Sequence, residues 1–329
     1  MTLLTSLEFE NFEKDQLESY LTQLQAIGIK NEQDFLLAEF STLLSKTKIP
    51  VNSLRQIETQ ILNSSHVDCQ LASELFVKEN SSRFTLSTGS KRIDQLLGGG
   101  FISREINEVS GPPGAGKTQL ALQMTGLILV QDPSACVIYL DISRNFCLRR
   151  INEIIHHRGY IETDIEVLAT RIKYSQCNDV YSFMDYLETI TIQLKKWNNT
   201  KLLVIDSITS IFSPILGVAY IKGRAMMYSA IRTLQQLAQE HNLVVLIINS
   251  AVGNHRNLER STLNKANTKP ALGSAWSNLP YTQIFLSRNQ ELIEYDKYRR
   301  TTIDCQILKS HRSDIGSMAK VELSQAGIY

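Results

Sequence analysis

Hydrophobic positions change their spacing once along this chain, near residue 86. Before it, Leu17, Leu21 and Leu24 recur at helical intervals, as do Phe35, Leu36 and Phe40, and then Leu54, Ile57, Ile61 and Leu62. Gly28 and Pro50 punctuate these runs, so residues 1–62 are predicted to form a small all-α domain of three or four short helices. Asn63, Ser64 and Ser65, then Asn80, Ser81 and Ser82, mark a polar connector over 63–85. Inside it Leu71, Ala72, Leu75 and Phe76 form an apolar cluster, which either packs on its own domain or docks another chain.

From residue 86 onward short apolar runs at 105–110, 136–140, 202–205 and 243–248 alternate with helical segments at 118–130, 146–157, 181–194 and 224–240. That alternation predicts an α/β domain over 86–329, a parallel sheet with crossover helices. The runs at 284–286, 302–308 and 318–323 are expected to add antiparallel strands. No run approaches the roughly 18 apolar residues of a membrane span. Composition agrees with a chain that buries a core: 43% hydrophobic and 20% charged residues exclude disordered, collagen-like and coiled-coil classes. With 34 Lys and Arg against 33 Asp and Glu, any nucleic-acid surface has to be a local patch. Cys69, Cys136, Cys147, Cys177 and Cys305 are scattered and contain no C-x-x-C pair, which argues against a disulfide framework or zinc site. His156 and His157, beside Arg158, lack ligand partners at metal spacing and read as a solvated helix face. Glu8, Glu10 and Glu13 stand where a signal peptide would be basic, so an intracellular protein is expected.

Gly111-Pro112-Pro113-Gly114-Ala115-Gly116-Lys117-Thr118 satisfies G-x-x-x-x-G-K-[ST], after a predicted strand and at the start of a predicted helix. The glycines let backbone N–H groups curl around phosphate oxygens, and the helix N-terminus adds its dipole. Lys117 is placed to reach the β- and γ-phosphates, and the Thr118 hydroxyl to ligate Mg²⁺. With Gln119, these eight positions are the expected nucleotide-contacting set. The strand Leu202-Leu203-Val204-Ile205 ends in Asp206, the carboxylate expected to hold the metal from across the sheet. Mg²⁺–ATP or Mg²⁺–GTP is the expected ligand, with Lys117 and Asp206 the first catalytic candidates.

Thr88-Gly89-Ser90, then Ile93-Asp94-Gln95-Leu96-Leu97-Gly98-Gly99-Gly100 and the phosphate loop, resemble the entrance to RecA-like recombinase cores. Ser213-Pro214-Ile215-Leu216-Gly217 and Ala271-Leu272-Gly273-Ser274-Ala275-Trp276-Ser277, followed by Pro280, are most similar to the D-type member of the eukaryotic strand-exchange recombinase paralogues. The resemblance implies a RecA-like P-loop ATPase core with a mostly parallel central sheet behind the small helical domain, using ATP and Mg²⁺. It also implies a nuclear role in homologous recombination. Such paralogues form heteromeric complexes that help load the recombinase filament on single-stranded DNA. Ala72, Leu75 and Phe76 stand where recombinases carry an inter-subunit linker motif, so the resemblance implies that they bind a partner.

Two positions depart from the catalytic pattern. Family recombinases carry a Glu acting on the attacking water where this strand reads Asp141-Ile142-Ser143, and they carry Asn-Gln where it reads Asn249-Ser250. Serine is no general base at neutral pH, and losing such a base costs about 10²–10⁴ in rate. ATP is therefore expected to bind with weak or absent turnover, Asp141 being the candidate replacement base. The alternatives are a DNA-stimulated ATPase and a scaffold with a vestigial site. Of the two segments expected to face DNA, 210–223 holds only Lys222, whereas 253–270 holds Arg256, Arg260, Lys265 and Lys269 against Glu259. If all four cations met phosphates, the salt slope would be roughly −3. Trp276 and Tyr281 are read as packing residues, and the cluster 309–312 as a surface turn.

Overall fold

Strands that are apolar at every position need cover on both faces, and that need sets the architecture of the larger part of this chain. The computed structural model describes residues 9, 12–64, 71–197, 199–253, 268–288 and 301–329. The chain divides into two compact units, Met1–Val77 and Lys78–Tyr329.

The first unit holds the helices Lys14–Ala26, Glu32–Leu37, Phe40–Lys46 and Val51–Ser64 around Leu24, Phe35, Leu43, Leu54, Ile57 and Ile61. Asn31 caps the second helix: its side chain accepts from the Asp34 N–H at 2.8 Å, and Asp34 Oδ2 accepts from the Asn31 N–H at 3.3 Å. A further helix, Ala72–Ser82, occupies part of the expected connector, and the division between the units falls inside it. Ala72, Glu74 and Leu75 are good helix formers, which explains a helix where the flanking polar residues suggest a loop. Leu71, Ala72, Leu75 and Phe76 are all exposed, Phe76 by 68%.

In the second unit, β1 (Thr85–Leu86) pairs with β2 (Phe101–Ile102) in a small separate sheet. The main sheet contains β3 (Ile106–Gly111), β4 (Cys136–Asp141), β5 (Ile172–Gln176), β6 (Thr200–Asp206) and β7 (Val244–Gly253). It also contains β8 (Thr268–Pro270), β9 (Thr282–Arg288), β10 (Thr301–Lys309), β11 (Met318–Ser324) and β12 (Gly327–Ile328). Its order is β12-β11-β10-β9-β3-β7-β6-β4-β5, with β8 paired to β7. Every pair from β9 to β5 along this order is parallel, and β10 to β12 add on antiparallel. This is the mostly parallel sheet that the alternating pattern predicts and that the resemblance to RecA-like cores implies. β5 escapes that pattern because it is a half-exposed edge strand with polar Lys173, Ser175 and Gln176.

Alternate residues of the central strands feed two cores. Val137, Tyr139, Val204 and Leu246 pack with the helices Lys117–Gln131 and Leu148–His157, whereas Ile138, Leu140, Ile205 and Ile247 face Val180–Gln193, Ile208–Val218 and Tyr220–Glu240. The segment 210–223, expected as a loop, is helical from Ile208 to Val218 and again from Tyr220. Ile208, Ile211 and Phe212 recur at helical spacing and bury themselves in the second core, and that burial overrides the Pro214 and Gly217 signals. Trp276 is fully buried, as its packing role requires. Cys136, Cys147, Cys177 and Cys305 are free thiols; Cys69 lies outside the described residues. Among the described residues no cluster of three metal-ligating side chains occurs, and no helix is long and apolar enough to cross a membrane.

Candidate nucleotide site and the strand ends around it

The carboxyl ends of parallel strands leave a crevice where the chain order along the sheet reverses, and β3 lies between β7 and β9 at such a place. Residues 111–118 leave β3 there and enter a helix that is buried from Leu120 to Leu129. Gly111 is required by space: a Cβ on it would lie 2.2 Å from the Leu286 carbonyl oxygen of the neighbouring β9. Gly116, at φ 94°, supplies the left-handed turn that points the first helical N–H groups into the crevice. Pro113 and Gly114 form the exposed lip of the loop.

The loop's reactive side chains are engaged with one another. Lys117 Nζ donates to the carbonyls of Gly111 and Pro112, each at 2.8 Å, and half-burial lowers its pKa against the opposing pull of Asp206. Thr118 Oγ1 donates to Asp206 Oδ2 at 2.6 Å, and the Tyr139 hydroxyl donates to the same oxygen at 3.3 Å. Burial raises the Asp206 pKa, and the nearby Asp141 raises it further. A threonine hydroxyl and one carboxylate are hard oxygen donors with no competing thiol or imidazole, a set that suits Mg²⁺ completed by water and phosphate oxygens. Beside them lies a cavity of about 230 Å³, bordered by Gly114, Lys117, Thr118, Gln119 and Arg288.

Arg288 and Tyr139 belong to this neighbourhood, and Glu108 lies on the strand that leads into it, although the sequence reading did not single them out. Tyr139 carried a signal, because it lies two residues before Asp141 on β4 and shares its face. Arg288 carried none: it reaches the loop from the far end of β9, with Nε donating to the Gly114 carbonyl at 2.6 Å. Glu108 is the buried acid of β3. Gln119 is held by Arg150, whose Nε donates to its side-chain oxygen at 2.7 Å.

The neighbouring strand ends are organised differently. Ser143 donates its backbone N–H to the Asp206 carbonyl at 3.1 Å and its hydroxyl to Ser207 Oγ at 3.4 Å, which in turn lies 3.0 Å from Ser210 Oγ. Asp141 is nearly fully buried, and its two oxygens accept from the backbone N–H groups of Asn145 and Phe146 at 3.1 and 3.0 Å. Ser250 uses its backbone, donating to Thr209 Oγ1 at 2.8 Å and accepting from Ala271 at 2.8 Å.

Of the cations expected to face DNA, Lys269 is exposed on β8, while Arg256, Arg260 and Lys265 lie outside the described residues. The segment around Lys222 is richer than its charge suggested. Lys222 Nζ sits 5.1 Å from the Tyr181 ring, and the Arg224 guanidinium lies 5.6 and 5.7 Å from the rings of Tyr220 and Tyr228. Val218 and Ile221 beside them are 92% and 86% exposed. Arg312, in the expected surface turn, donates to the Gly100 carbonyl at 2.9 Å, and Lys309 to that of Asn278 at 2.9 Å.

A mostly parallel sheet with a phosphate loop on one strand, an aspartate two strands away and an antiparallel extension defines a RecA-like P-loop core. The sequence profile of the Rad51 family matches residues 79–293, and the chain belongs to that family. It is 27% identical over 309 residues to the DNA repair protein RAD51 homolog 4 of Bos taurus, covering 92% of this chain and 91% of that protein. The Mus musculus RAD51 homolog 4 is 24% identical over 315 residues, covering 94% and 92%. A probable RAD51 homolog 4 of Dictyostelium discoideum is 29% identical over 293 residues, covering 77% and 79%. The chain is thus a Rad51-family paralogue of DNA repair and recombination, in agreement with the D-type resemblance.

Proposed function

We propose that this paralogue is an ATP- and Mg²⁺-binding accessory subunit of homologous recombination that holds nucleotide with slow or absent turnover. It binds single-stranded DNA and other paralogues in the nucleus and assists recombinase filament assembly. One observation carries the reading: the phosphate loop and its Thr118–Asp206 pair are assembled, while no free carboxylate stands at the position of Ser143. Lys117, with the N–H groups of the loop, would hold the phosphates, and Thr118 and Asp206 would hold the metal, which neutralises phosphate charge when bound. Asp141 is a poor replacement base because both its oxygens already serve backbone donors.

The aromatic and cationic group formed by Tyr181, Tyr220, Lys222, Arg224 and Tyr228 supports contact with single-stranded DNA, since stacking surfaces beside cations suit unpaired bases. The exposed Ala72, Leu75 and Phe76 support partner docking. ATP binding and hydrolysis by the full chain, with and without single-stranded DNA and with Lys117→Ala as control, tests the reading. Bound ATP with negligible turnover is expected in both conditions. DNA-stimulated turnover that Lys117→Ala abolishes would make the protein a working ATPase, and no binding in a partner-containing complex would make it a scaffold.

A further inference from the structure

Glu108 stands in the middle of β3, with every residue of that strand buried and its own side chain at 0% exposure. A carboxylate there is costly unless donors surround it. Its Oε1 accepts from Asn249 Nδ2 at 2.7 Å, and its Oε2 from Trp276 Nε1 at 2.9 Å and Gln283 Nε2 at 2.7 Å. All three donors are neutral, and no described cation lies within ion-pair distance. Burial raises the pKa of the group, against the downward pull of the Asn249, Trp276 and Gln283 hydrogen bonds and, last, of Lys309.

Each partner belongs to a different element, and one of them leads to the nucleotide site by a second route. Asn249 lies on β7 and also donates to the Ala271 carbonyl at 3.3 Å, while its Oδ1 accepts from the Thr209 hydroxyl. Thr209 opens the helix that follows Asp206 and receives the Ser250 N–H on the same hydroxyl. Ala271 N donates to the Ser250 carbonyl, so the antiparallel ribbon of β7 and β8 is tied at its base to Asn249 from both sides. The next residue, Leu272, sits at φ 71°, a left-handed conformation that a leucine rarely adopts. On the other side, Glu108 and Gly111 share one strand, three residues or about 10 Å apart.

We propose that Glu108 and Asn249 form a positioning pair that couples the phosphate loop to the base of the β7–β8 ribbon, so that nucleotide bound at 111–118 restrains the ribbon through the buried carboxylate. The inference rests on the nucleotide-binding reading above.

Hydrogen exchange of the full chain, with and without Mg²⁺–ATP, tests it while loop protection and direct ATP binding are followed in parallel. In the wild type, Mg²⁺–ATP is expected to slow exchange at 249–253 and 268–272 about fivefold or more. Glu108→Gln sets an NH₂ against the Asn249 NH₂ and is expected to lose this response while the loop stays protected. Loss of the response while ribbon exchange without nucleotide stays at the wild-type rate is an outcome a purely structural role would not produce. ATP binding without any ribbon response in the wild type overturns the coupling alone, whereas no ATP binding overturns the nucleotide reading and the coupling with it. A wild-type response in Glu108→Gln also overturns the coupling. If Glu108→Gln does not fold, the isosteric Thr209→Val carries the test: a response cut to less than half supports the pair, and an undiminished one overturns it.

Discussion

The phosphate loop and the ends of β4 and β7 lie at one edge of the same sheet, yet they have different fates. At the loop every group needed to hold a nucleotide is present and assembled: the close-packed Gly111, the turn at Gly116, Lys117, and the 2.6 Å bond between Thr118 and Asp206. Around β4 and β7, Ser143 and Ser250 stand in short hydroxyl and backbone networks, and Asp141 caps its own turn. On the reading proposed above, the difference teaches that binding and turnover are separable in this fold. Binding depends on backbone geometry, which a few glycines and one lysine specify. Turnover depends on single polar atoms at the ends of separate strands, and these can be exchanged for serine without disturbing the sheet.

Putting a carboxylate back is the sharpest way to break the comparison: Ser143→Glu is expected to raise hydrolysis by about 10²-fold, measured as phosphate release under saturating Mg²⁺–ATP. An unchanged rate would mean that the surroundings of Ser143, and not the missing base, limit turnover. Lys117→Ala removes a charged donor worth about 1.5–3 kcal/mol, so ATP affinity is expected to fall about 10- to 150-fold by fluorescent-nucleotide titration. Gly111→Ala drives a methyl into the Leu286 carbonyl and is expected to destabilise the second unit by about 2–3 kcal/mol, read as a drop of several degrees in Tm. Tyr220→Ala removes one stacking surface beside Arg224 and is expected to weaken single-stranded DNA binding about fivefold or more while leaving ATP affinity unchanged. Arg288→Ala has the smallest expected effect, about a two- to fivefold loss in ATP affinity, because the guanidinium is exposed and screened.

Much of this molecule can be read from the order of its residues. The strands β3, β4, β6 and β7 appear as apolar runs because both their faces are buried, and the phosphate loop appears because its spacing serves backbone contacts within one short segment. Ser143 and Ser250 are legible as departures beside the recombinase pattern, Ser143 two residues after β4 and Ser250 inside β7. β5 is not legible, because an edge strand with one exposed face carries polar residues that look like loop. The helix Ile208–Val218 was hidden under Pro214 and Gly217, whose local signals gave way to the burial of Ile208, Ile211 and Phe212.

What the sequence by itself determined is the set of local devices: helical bundle, parallel sheet, phosphate loop and the aspartate that ends β6. These depend on periodicity and on residues close along the chain. Only the tertiary structure decided that Arg288 lies on the Gly114 carbonyl, that Tyr181 joins Lys222, and that Glu108 meets Asn249, Trp276 and Gln283. Those contacts join residues that are 41 to 175 positions apart. Their partners are chosen by strand order and register, and no local pattern encodes which distant side chain will face a given buried acid.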